Sequence, residues 1–68
     1  MRAYIFKYKT IEGNEIKDCH RIFLTSGRKR AIERVQEWID YMKSTCTIFD
    51  FIPLALYEKG DTTPIMEW

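Results

Sequence analysis

Only two cysteines, a single histidine, two prolines and three glycines occur among the 68 residues, and the two signs of charge nearly cancel, leaving a formal net charge of +1. Each shortage excludes something. Two thiols, Cys19 and Cys46, are too few for the disulfide framework on which small secreted domains rely. One histidine and two distant cysteines offer no ligand spacing of the zinc type, and the carboxylates are scattered, so neither a metal nor a cofactor is expected. Gly13, Gly27 and Gly60 stand singly and cannot form a glycine-rich phosphate cradle. Balanced charge argues against a surface that is basic throughout, as in a strong nucleic-acid binder, or acidic throughout, as in a mimic of one. No apolar run approaches membrane-spanning length, and the opening MRAYIFKYK lacks the charged-then-apolar pattern of a signal peptide. The expected setting is cytoplasmic, with reduced thiols and no membrane partner.

Apolar residues, by contrast, make up 46% of the chain and aromatic ones 15%, enough for a packed core. That core has to be small, because a domain of this length buries only about 60% of the surface its unfolded chain exposes. One segment, Ser26–Ser44, carries Ala31, Ile32, Val35, Trp38, Ile39 and Met42 at helical spacing, which makes a single apolar stripe with Trp38 as its central anchor. Ser26, or failing that Thr25, is the expected N-cap.

Before the helix, residues 3–11 and 16–24 are rich in aromatic and β-branched types and flank a turn at Glu12–Glu15. A two-residue loop at Gly13 and Asn14 sets Lys9 opposite Asp18, Ile11 opposite Ile16, Ile5 opposite Ile22 and Tyr4 opposite Phe23, all favourable pairs. One face of this hairpin then carries Tyr4, Phe6, Tyr8, Cys19 and Phe23. The other carries Ala3, Ile5, Lys7, Lys9, Asp18, His20, Ile22 and Leu24. The aromatic face is the better partner for the helix, because charges cross the middle of the other. A third strand is expected at about 50–58, with Pro53 at an edge, a bulge or a strand start, and a short fourth strand within 63–68. The resulting fold class is α+β: two layers in the order β-β-α-β-β, a mainly antiparallel sheet with one amphipathic helix on one face, forming a single domain over 1–68.

No residue pattern points to catalysis. Cys19 and His20 are sequence neighbours on a strand, so their side chains point to opposite faces and cannot act as nucleophile and base. Two surfaces remain as candidate binding sites. The first is the charged helix start, where Arg28, Lys29 and Arg30, backed by Arg34, surround free backbone N–H groups that suit a phosphate or an acidic side chain. The second is the uncovered sheet face, where Ile5, Ile22 and Leu24, with part of Leu54, Leu56 and Ile65, lie beside Lys7, Lys9 and His20. The expected function is non-enzymatic docking onto a larger protein or nucleoprotein partner. A small nucleic-acid-binding domain using the helix start and the sheet lysines is the alternative, and a homodimer through two open sheet faces is a third outcome. In size and element order the chain resembles small phage or mobile-element proteins that block host defence complexes, some anti-CRISPR proteins among them, and that resemblance implies an inhibitor.

Overall fold

A computed structural model describes residues 1–45 and 49–68; Cys46 lies outside the described residues. Five elements follow in the order β1 (Arg2–Glu12), β2 (Glu15–Thr25), α1 (Arg28–Thr45), β3 (Asp50–Glu58) and β4 (Met66–Glu67). The strands form one antiparallel sheet in the spatial order β2-β1-β3-β4, and α1 lies across one face of it. This is the two-layer α+β arrangement expected from the residue pattern.

The β1–β2 hairpin turns at Gly13, whose φ of 60° sits in the region glycine enters without penalty, while Asn14 keeps a negative φ. A positive φ at the first central residue only is the signature of a type II′ turn, whose twist matches that of the flanking strands. The register is the one the side-chain pairs predict: Lys9 faces Asp18, Ile11 faces Ile16, Ile5 faces Ile22 and Tyr4 faces Phe23.

Alternation places Tyr4, Phe6 and Phe23 on the helix side, where they are buried against Ala31, Val35 and Ile39 of α1 and Leu56 of β3. Tyr8, Phe51, Trp38 and Trp68 pack around this centre. Phe6 stands at its middle, with ring centroids 5.5 Å from Tyr8, 5.8 Å from Trp38, 6.4 Å from Phe51 and 5.4 Å from Trp68. Leu56, expected in part on the open face, is instead fully buried, and Ile65 packs against the core. The reason is a bulge. Lys7 pairs with Ala55 and Tyr8 with Pro53, so Leu54 is an extra residue in β3. Phe51 and Leu56 are an odd number of residues apart and would face opposite ways in a regular strand; the bulge brings both to the helix side. Pro53 flanks it, a place where a missing N–H is tolerated.

The helix starts one residue later than a Ser26 cap would set it. The Ala31 N–H donates to the Gly27 carbonyl at 3.0 Å, which makes Gly27 the residue at the N-cap position. Thr25, only 3% exposed, ties the junction by donating its hydroxyl to that same carbonyl at 3.0 Å. At the other end of the sheet the Trp68 indole N–H donates to Gln36 Oε1 at 2.9 Å, joining the chain after β4 to the helix.

Burial, then the neighbouring Cys19, raises the Tyr8 phenol above its ordinary pKa, opposed by Arg21. Folding therefore favours the protonated phenol. That contribution is whole below about pH 10, the unfolded value, and is lost as pH climbs through the raised folded one. A Tyr8→Phe chain is expected to hold its denaturation midpoint over this alkaline range better than the parent, as urea titrations at stepped pH would measure.

Candidate interaction surfaces

The helix covers one face of the sheet, and the opposite face is open. Five of the candidate binding residues meet there: Ile5, Lys7 and Lys9 from β1, His20 and Ile22 from β2. β3 extends the surface, since its register sets Tyr57 opposite Ile5, Ala55 opposite Lys7 and Ile52 opposite Lys9. Ile16 is 65% exposed, Leu24 59%, Ile22 55% and Ile52 37%. These are large apolar side chains set by strand alternation on one side of the sheet, with half or more of their area in water in most cases. Ile16, Ile52 and Tyr57 were not expected there; the signal for Ile16 was present in its pairing with Ile11, whereas Ile52 and Tyr57 required the β1–β3 register.

The polar groups of this face are partly committed. Lys7 Nζ lies 4.9 Å from the centre of the Tyr57 ring, and Lys9 Nζ lies 3.8 Å from Asp18 Oδ1 across the hairpin. Both pairs keep their charged heads near the sheet, where the lysine stems shield apolar surface. A shallow hollow is lined by Lys7, Asp18, His20 and the bulged Leu54 and also by Tyr8 and Cys19, so it does not belong to the open face alone. Cys19 carries a free thiol and lies on the helix side, away from His20.

The helix start is a separate place, in the other layer. Its cations are largely answered from within the chain. Arg28 Nε lies 3.7 Å and Arg2 Nη1 3.6 Å from the same Glu58 Oε1, and Arg30 Nη1 lies 3.1 Å from Glu33 Oε2. Lys29 and Arg34 are exposed and make no ion pair among the described residues. Nothing local could have announced the Arg28–Glu58 pairing, because the two residues are brought together only by the sheet. The open face and the helix start therefore do not form one continuous site. Among the described residues, no three His, Cys, Asp or Glu side chains converge as a metal site requires. No helix among the described residues is long and apolar enough to cross a membrane. Set against known proteins, the chain matches no family model, no curated protein and no solved structure.

Proposed function

We propose that this chain is a non-enzymatic protein-binding module that seats its open sheet face on an apolar patch of a larger protein, as a small phage or mobile-element inhibitor of a host defence complex would. The observation that carries this reading is the alignment of Ile16, Ile22, Leu24 and Ile52, each more than a third exposed, on one face of a four-stranded sheet. Large apolar side chains left in water on one side of a small sheet, here at both ends of the hairpin with Lys7, Lys9, Asp18 and His20 between them, are a feature of interaction surfaces. Lys7, Lys9 and His20 at the middle of this face suit a partner whose facing surface carries carboxylates between apolar groups.

The nucleic-acid alternative draws less support, since Arg28 and Arg30 already face Glu58 and Glu33. Two variants separate the readings in capture from a lysate of the native host. Ile22→Asp keeps the strand and is expected to lose about 0.2–1 kcal/mol from its pair with Ile5, with partner capture abolished. Arg28→Glu, Lys29→Glu and Arg30→Glu together are expected to leave capture unchanged. The reverse pattern, with labelled DNA or RNA bound at low salt and released steeply as salt rises, would overturn the proposal.

A further inference from the structure

The outer edge of β2 is a second surface, one that pairs with no other strand among the described residues. It is an 11-residue strand at one rim of the sheet, while the other rim is held by the two-residue β4. Backbone direction along it follows from one bond. The Lys59 N–H donates to the Ala3 carbonyl at 2.9 Å, so odd residues of β1 aim at β3 and even residues at β2. The even residues of β1 pair with odd residues of β2. Ile16, Asp18, His20, Ile22 and Leu24 therefore turn their N–H and C=O groups outward. Such a row is a template for another strand, and β2 carries neither a proline nor a break in its pairing with β1 to discourage one.

The sequence of the strand, set antiparallel against itself, names the occupant. About a two-fold axis at Cys19, Ile16 lies opposite Ile22 of the second copy and Asp18 opposite His20, each pair occurring twice on the open face. All four are outward-facing residues, so each pair can exchange both backbone hydrogen bonds. An axis at Asp18 or Arg21 would set like charges against themselves, and one at His20 would set Asp18 against Ile22. On the helix side, the axis at Cys19 brings Lys17 opposite Arg21. Both cations are held within their own chain: Lys17 Nζ lies 3.7 Å from Glu15, and the Arg21 guanidinium lies 5.1 Å over Phe23 and 4.7 Å over Trp38.

We propose that two copies of this chain join through their β2 edges around Cys19. The product is a continuous antiparallel sheet with both helices on one side and the two open faces merged on the other. The backbone bonds of this pairing form at the edge, so the face stays open to a docked partner, and the mass of the isolated chain reads the pairing apart from that docking.

Cys19 reads the register. At the axis it would sit in a non-hydrogen-bonded pair with Cα atoms about 4.5 Å apart, within the span of about 4.4–6.8 Å that a disulfide bridges. The experiment uses the full chain with Cys46→Ser, so that Cys19 is the only thiol. Sedimentation at millimolar chain concentration is expected to give twice the 8.2 kDa monomer mass. Diamide, which takes up the two protons and two electrons released as two thiols become one disulfide, is expected to trap that species as a dimer reversed by dithiothreitol. His20→Pro removes one outward N–H and no bond to β1, and Ile16→Lys places a cation against Ile22 of the second copy. Each is expected to weaken association by about tenfold or more with an unchanged circular dichroism spectrum. Should the proline variant not fold, Ile16→Lys decides. A purely monomeric mass, a dimer that diamide does not trap, or a dimer indifferent to the edge substitution would each overturn the proposal.

Discussion

Phe6→Ala is expected to cost about 3–5 kcal/mol, the range for deleting a buried phenylalanine. At roughly 0.05–0.15 kcal/mol per residue, a chain of this length holds only on the order of 3–10 kcal/mol in all. The variant should therefore be partly or wholly unfolded at room temperature. Phe6 has no exposed surface and touches four other rings. Its loss removes a ring that packs at once on Tyr8 of the same strand, Trp38 of the helix, Phe51 of β3 and Trp68 after β4, the last of which packs on no other ring among the described residues. Urea titration followed by tryptophan fluorescence gives the midpoint, and a midpoint within experimental scatter of the parent's would refute this account of the core. Trp38→Ala should cost less, at or below the lower end of the same range, because Trp38 is the anchor of the helix stripe yet remains partly exposed, capped by the Arg21 guanidinium.

Tyr4→Phe is expected to move stability the other way, by about 1 kcal/mol in favour of the folded chain. Tyr4 is fully buried, and its hydroxyl has no hydrogen-bond partner among the described residues. A buried polar group left unpaired costs about 1–3 kcal/mol. Removing one oxygen leaves a void on the order of 10–15 Å³, which at about 24 cal/mol per Å³ offsets only a few tenths of a kcal/mol. The ring stays packed against the same neighbours. For a domain of this length a gain of 1 kcal/mol raises the melting temperature by about 4–8 °C, and calorimetry would read it directly. A loss of stability instead would mean that the hydroxyl is satisfied, by a bound water for instance.

Much of the architecture was legible because local chemistry and long-range pairing agree in the first half of the chain. Lys9 with Asp18, Ile5 with Ile22 and a glycine at the head of a two-residue turn all point to one register, and that register alone sorts the aromatic side chains from the charged ones. The choice of face followed from those charges, and the helix stripe from Ala31 to Ile39 had one surface on which to lie. The bulge at Leu54 was not legible in detail. Pro53 marked an irregularity, but alternation alone sent Leu56 outward, and only the pairing of β3 with β1 shows that Phe51 and Leu56 share the core. The helix begins at Arg28, within the range expected near Gly27 or Arg28, and only its cap residue was misread. Ser26 has the right chemistry for a cap, yet the first turn closes from the Ala31 N–H onto the Gly27 carbonyl, to which the buried Thr25 also donates its hydroxyl. Of the candidate surfaces, the hairpin half of the open face could be read from strand period. The state of Arg28 could not, since its carboxylate partner Glu58 lies across the sheet at the end of another strand.

The position of β1 between β2 and β3 also orders events during synthesis. A chain emerging from the ribosome can close the β1–β2 hairpin at once, since the turn is local and its pairs are adjacent. Its two faces are then both bare, the aromatic one until α1 has emerged and packed. Along its other side, β1 remains an edge until residues 50–58 arrive to pair with it. The nascent hairpin thus passes through a stage in which Tyr4, Phe6 and Tyr8 and a full row of backbone groups stand in water together, the period in which association with other chains competes most strongly with folding.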